Sequence, residues 1–157
     1  MEMLWQELTF GIGSGRLLAQ VIVRLIVAAF LGGLVGMQRE RAHKPAGVRT
    51  HILVCLGTAV VVLASAGMGM QLDAQSRVIQ GVVTGIGFIG AGSILKLSAE
   101  HDIKGLTTAA GLWMTAGIGV ACGGGEIGIA LISAVLTVIV LALAGVLERD
   151  TREKDQK

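Results

Sequence analysis

Charged and aromatic side chains are scarce in this chain: 15% of its 157 residues are charged and 3% aromatic, with two cysteines and one proline. Soluble domains carry about 25% charge, so the composition argues against a soluble enzyme domain. The basic residues are not interleaved with aromatics as a single-strand nucleic-acid binder requires, and no nucleic-acid partner is expected. GxSxG, P-loop and HExxH patterns are missing. The stretch GIGFIG at 85–90 spells GxGxxG but lies in an apolar run with no strand before it. No enzymatic activity and no cofactor are expected. His43, His51 and His101, with Glu40, Glu100 and Asp102, could bind a transition metal or sense pH, yet no HxxxH or CxxC spacing supports this.

What the chain has in plenty is apolar residues, 53%, and glycine, 24 residues. The apolar residues gather into runs near the ~20 residues that a helix needs to cross a bilayer. Five runs are expected to span, at about 17–37, 52–70, 78–97, 106–123 and 127–147. The fold class that follows is an all-α integral membrane protein. Residues 1–147 would form a compact five-helix bundle in the lipid bilayer, and 148–157 a frayed, charged cytosolic tail. Residues 1–10 lack a basic n-region and no small-residue cleavage site follows, so a signal peptide is not expected; Trp5 and Phe10 suit the interface.

Lys and Arg set the orientation. Arg39, Arg41, Lys44, Arg49, Lys96, Lys104, Arg149, Arg152, Lys154 and Lys157 share one side of a five-span arrangement, against Arg16 and Arg77 on the other. With Arg24 inside the first run, these account for all 13. The N-terminus is therefore expected outside and the C-terminus in the cytosol. Arg24 is expected to snorkel to the outer interface.

The map puts Cys55 and Cys122 at opposite depths, which excludes a disulfide within one chain and leaves both as small packing residues. Gly81, Gly85, Gly87, Gly90 and Gly92 crowd the third run, echoed by Gly32, Gly33 and Gly36 in the first and Gly111, Gly117 and Gly119 in the fourth. Small residues permit close helix approach where lipid supplies no hydrophobic drive, within one bundle or between copies, a dimer being favoured. The alternative is a broken helix over 84–92, including Thr84, whose carbonyls line a midplane cation site. Trp113, near the middle of the fourth run, suits a packing wedge better than a pore element.

Polar residues cluster at the helix ends. On the cytosolic side Arg39, Glu40, Arg49 and Thr50 flank a Pro/Gly turn, while Thr107 and Thr108 open the fourth run. They are read either as interfacial anchors, with Glu40 paired to an Arg and the threonines capping, or as a gate or docking surface for a cytosolic partner. On the outer side Asp73 is an N-cap candidate with Arg77 at i+4. A buried pair of Asp73 with Arg24 or Arg77 would mark a cation entrance, making Asp73 the one weak metal candidate.

Three segments, GMQRERAHKPAGVRTHILVCLG (36–57), DAQSRVIQGVVTGIGFIGAGSIL (73–95) and KGLTTAAGLWMTAGIGVACGGG (104–125), resemble in order the membrane domain of the MgtC/SapB family. The resemblance covers nearly the whole chain. It implies a bacterial inner-membrane protein with its N-terminus outside, linked to adaptation to low magnesium, acid stress and survival in host cells. Some members are proposed to act on the proton-translocating ATP synthase or other membrane proteins. The matched residues are Arg39, Glu40, Gly47, Arg49, Thr50, Asp73, Arg77, Gly85, Gly87, Gly90, Gly92, Gly105, Thr107, Thr108 and Trp113. Gln38 stands where many members have an acid, which weakens a metal site there. Virulence-associated members carry a cytosolic C-terminal domain, and this chain ends about ten residues after the fifth run, so roles needing that domain are not expected.

Two functions follow. A non-enzymatic regulator or adaptor, contacting another membrane complex, is favoured over a cation- or proton-conducting bundle entered at Asp73, because Mg²⁺ keeps its waters and needs more oxygens than one carboxylate offers.

Overall fold

The computed structural model describes residues 15–96 and 103–155. They form five helices, α1 (Gly15–Arg41), α2 (Val48–Gly67), α3 (Leu72–Gly92), α4 (Leu106–Gly124) and α5 (Ile127–Asp155). Two-residue strands, β1 (Leu95–Lys96) and β2 (Ile103–Lys104), pair antiparallel between α3 and α4. The expected Trp5 and Phe10 contacts fall outside the described residues. Four helices are long and apolar enough to cross a membrane: Gly15–Arg41, Val48–Gly67, Leu106–Gly124 and the Ile127–Gly145 part of α5. The third expected span, 78–97, corresponds to α3, which is not among those four.

Helix boundaries differ from the apolar runs for local reasons. α2 starts at Val48, four residues before its run, and α3 occupies Leu72–Gly92 rather than 78–97. α5 continues through the charged residues 148–155, so a frayed tail there is corrected to helix; Glu, Arg and Lys are good helix formers even without an apolar face.

Three helices end in one Schellman device, in which a left-handed residue lets two N–H groups fold back on orphan carbonyls. At α2, Gly69 (φ 69°) bonds Ala66 O while Met70 reaches Ser65 O. Gly125 (φ 88°) bonds Cys122 O as Glu126 reaches Ala121 O. At α1 the left-handed position is taken by His43 (φ 52°), bonded to Glu40 O, with Lys44 on Arg39 O.

The core lies where α1, α2 and α4 meet, with α5 laid against it: Ala28, Leu31, Val35, Cys55, Ala59, Ile118, Cys122, Ala130, Ala134 and Leu141. Its glycines come from α1 and α4. A Cβ on Gly32 would stand 2.7 Å from His51 O, one on Gly36 2.6 Å from Val48 Cα, and one on Gly123 2.7 Å from Ala59 O. At Gly119 it would collide with Thr58 Oγ1 and Cys55 O. Only hydrogen fits at these contacts, and backbones therefore meet face to face.

α3 is peripheral, with only Ile86 and Gly90 buried. Gly90 rests on Ala109, whereas Cβ atoms on Gly81, Gly85, Gly87 and Gly92 would meet nothing within 4 Å among the described residues. Of the three glycine-rich runs, close packing within one copy is found in α1 and α4, and in α3 at Gly90. α3 also runs unbroken through 84–92, its carbonyls held in helical hydrogen bonds and Thr84 Oγ1 turned onto Gln80 O at 2.9 Å. The broken-helix expectation is corrected: the segment keeps its helix because its glycine face is not strained by any neighbour.

Candidate functional site

Two clasps from α1 hold α4. Near one end the Arg39 guanidinium, 3% exposed, donates to Thr108 Oγ1 at 2.6 Å. Near the other, Arg24 Nη1 donates to Gly123 O at 2.9 Å, and its guanidinium lies against Gly125. A cation at a helix C-terminus satisfies orphan carbonyls and complements the dipole. Arg24 is therefore bound to protein and does not reach Asp73. The two clasps also show that α1 and α4 run antiparallel, so the α1–α2 turn and the start of α4 lie at one end of the bundle.

That end carries the candidate site. Gly47, the N-cap of α2, has no side chain to offer, and Glu40 Oε2 accepts the Val48 N–H at 3.0 Å in its place. Glu40 thus caps the next helix and is corrected from the expected Arg pairing; a carboxylate is well placed at the positive helix end. Gly47 is small because a Cβ there would stand 2.7 Å from Glu40 Oε2. His51, fully buried one turn into α2, shares an Nδ1 hydrogen bond of 3.0 Å with Gly47 O. Its Nε2 is buried without a partner among the described residues. Gly36 abuts its Cβ and Gly111 faces Nε2, and Arg39 lies within electrostatic reach of the ring.

Of the residues singled out in sequence, Arg39, Glu40, Gly47 and Thr108 come together here. Arg49 is exposed and Thr50 half-buried on the same turn of α2. Thr107 is exposed, and neither threonine caps α4, whose N-cap is left-handed Gly105 (φ 98°). Gly105 is required sterically, since a Cβ would strike Ser93 O. Trp113 is 49% exposed on the outer face of α4, which corrects the wedge reading: the packed face of α4 is taken by Thr108, Gly111, Leu112, Thr115 and Gly119. His51 had been grouped with two other histidines as a metal or pH element; among the described residues no three His, Cys, Asp or Glu side chains gather around one point.

At the opposite end Asp73 and Arg77 form the expected i,i+4 ion pair at 2.6 Å, but both side chains are largely exposed. The buried pair is corrected to a surface one, and Asp73 lies in the first turn of α3 behind the N-cap Gln71. Cys55 and Cys122 belong to one core cluster. The opposite-depth expectation fails because α2 begins earlier than its apolar run and Gly119 and Gly123 let α4 lie directly on it; both cysteines are free.

The MgtC family model matches residues 25–150, which hold the Arg39–Thr108 clasp and the whole α1–α2 turn. The chain belongs to the MgtC family. Among similar proteins, "Putative magnesium transporter YhiD" of Escherichia coli (strain K12) is 42% identical over 130 residues, covering 78% of this chain and 60% of that protein. "Protein MgtC" of Salmonella typhimurium (strain LT2) is 41% identical over 133 residues, 85% of this chain and 54% of that one. "Protein SrpB" of Synechococcus elongatus is 38% identical over 130 residues, 76% of this chain and 71% of that one. The chain thus spans little more than half the length of the YhiD and MgtC proteins it matches. No solved structure matches it. As an MgtC-family chain with four membrane-crossing helices, it is a multi-pass protein of the bacterial inner membrane.

Proposed function

We propose that this MgtC-family chain is a non-enzymatic regulator or adaptor that supports magnesium homeostasis or adaptation to acid stress by contacting another membrane protein. The observation that carries this reading is the shut interior. Gly32, Gly36, Gly119 and Gly123 press α1 and α4 onto the backbone of α2 with no room for a methyl group, which leaves no passage for a hydrated cation between those helices. All five helices cross the bilayer in this proposal; α3, at 21 residues, measures about 31 Å. The ten-to-two split of Lys and Arg supports an outer N-terminus and a cytosolic α1–α2 turn, which makes exposed Arg49 and half-buried Thr50 available to a partner.

A second reading, a conducting oligomer, draws support from the open face of α3. Among the described residues of one copy Gly81, Gly85 and Gly92 have no neighbour, so a path would run between copies, a homodimer being the simplest arrangement. YhiD's printed name calls it a magnesium transporter. Purified protein in sealed vesicles separates the two. The regulator reading expects Mg²⁺ and proton flux equal to protein-free vesicles, and flux above that level overturns it. Crosslinking from residues 39–50 in cells is expected to capture a second membrane protein, and recovery of this chain alone counts against an adaptor.

A further inference from the structure

His51 is enclosed from two helices by glycine. Its Cβ would stand 3.1 Å from a Cβ on Gly36, its carbonyl oxygen 2.7 Å from one on Gly32, and its Nε2 3.8 Å from one on Gly111. At Gly32 this carbonyl contact, and at Gly36 the nearer Val48 Cα at 2.6 Å, admit no side chain, while Gly111 leaves a methyl-sized space beside the ring nitrogen. The short contact from Nδ1 to Gly47 O makes Nδ1 the donor, so the neutral ring carries its lone pair on Nε2. That lone pair is buried and without a partner among the described residues. A buried polar atom left unsatisfied is costly, and its persistence at a helix junction suggests a second state in which it is used.

We propose that Nε2 of His51 is a proton-binding site and that loading it unlatches the junction of α1, α2 and α4. The step is a simple association: a proton from water at the α1–α2 turn takes the Nε2 lone pair, and the ring becomes an imidazolium with two N–H donors. In the closed junction the new donor faces the Gly111 space. The charged groups around it from each packed element are few. From α1 come the Arg39 guanidinium and, on the solvent side of the turn, the Glu40 carboxylate already engaged by Val48 N–H. Among the described residues, α2 itself carries exposed Arg49 two positions before the ring and buried Cys55 one turn after it, and the packed face of α4 carries the uncharged hydroxyls of Thr108 and Thr115, the latter bonded to Gly111 O. A second cation beside Arg39 in a dry junction is unfavourable. Gly32 and Gly36 pin the backbone and Cβ of His51, so the proton binds best when the first turn of α2 swings away from α4 and the ring meets water. A ligand that binds one of two states better shifts the population toward it, and acid therefore favours the open junction. The inference goes beyond the regulator reading and survives its failure, since it concerns how this chain responds and not what it contacts.

The test uses the full chain in lipid nanodiscs, with His43→Gln and His101→Gln leaving His51 as the one histidine. Between pH 8 and pH 4.5, ¹⁵N NMR is expected to show the His51 ring passing from the Nδ1–H tautomer to the doubly protonated form. Over the same interval, amide exchange of residues 51–55, corrected for intrinsic rates, is expected to rise by up to about tenfold per pH unit, the slope of one bound proton. His51→Gln is expected to flatten that slope. A ring that stays singly protonated to pH 4.5, a ring that charges without a change in exchange, or a slope that persists in His51→Gln would each overturn the proposal. Should His51→Gln fail to fold, Arg39→Gln replaces it: removing the neighbouring cation is expected to move the pH at which the ring charges, and no change would overturn the proposal.

Discussion

Arg39 and Thr108, 69 residues apart in sequence, share a 2.6 Å hydrogen bond in the buried junction of α1 and α4. Arg39 is fixed as a donor, and the threonine oxygen satisfies one of its buried N–H groups. Thr108→Val keeps the shape of the side chain and deletes the acceptor. It is expected to lower unfolding stability in detergent by about 1–3 kcal/mol, the cost of one unsatisfied buried donor. Thr107→Val, at the exposed neighbour, is expected to leave the thermal midpoint in place.

Glycine has two different meanings in this bundle, and alanine separates them. Gly123→Ala places a methyl group 2.7 Å from Ala59 O and is expected to cost about 1–3 kcal/mol through overpacking. Gly85→Ala meets open space in one copy and is expected to be neutral or to stabilise by up to about 1 kcal/mol, the helix-propensity gain. Thermal unfolding of both variants at matched detergent concentration checks this. Should Gly85→Ala shift a dimer to monomer on size-exclusion chromatography, the α3 face is an interface between copies.

His43 holds the left-handed place that Gly69 and Gly125 fill at the other Schellman ends. His43→Gly removes the Cβ penalty there and is expected to stabilise by about 0.4–1 kcal/mol, after the larger chain entropy of glycine is subtracted. A drop in the thermal midpoint would mean that the His43 side chain makes a stabilising contact.

Asp73 and Arg24 were candidates for one ion pair and are expected to behave independently. Arg24→Leu removes the bond to Gly123 O and the cation at the end of α4, and is expected to destabilise by about 1–2 kcal/mol. Asp73→Asn breaks only an exposed pair with Arg77, which contributes little; stability and vesicle flux are expected to match the parent. A double-mutant cycle should show no coupling between the two positions.

Long apolar runs and the scarcity of charge were enough to read the helices, because hydropathy is a property of composition along the chain. Helix ends were less legible. Val48 and Thr50 look like loop beside Pro45, yet α2 starts there because Glu40 reaches over from α1 to cap it, a partner that no local pattern announces. In the candidate site the sequence motif pointed to Arg39, Glu40 and Thr108, but not to which touches which. The glycines of α3 look more concentrated than those of α4, although among the described residues it is Gly119 and Gly123 of α4 that press on a neighbour's backbone, while of the α3 glycines Gly90 alone makes an ordinary contact. Glycine content tells how near a helix can come, and the partner's position decides whether anything comes near. His51 could be singled out only as one of three histidines; a signal was available in its spacing from Cys55, which puts both on one face of α2.

The two arginine clasps on α4 have matching spans. Positions 24 and 39 on α1 are fifteen residues apart, as are 123 and 108 on α4, so both stretches measure about 22 Å. Like two rivets through a pair of bars, they forbid sliding and leave almost no pivot. Whatever this protein does when it works, α1 and α4 act as a single stiff plank, and large displacements belong to the helices bolted to it less firmly, α3 above all.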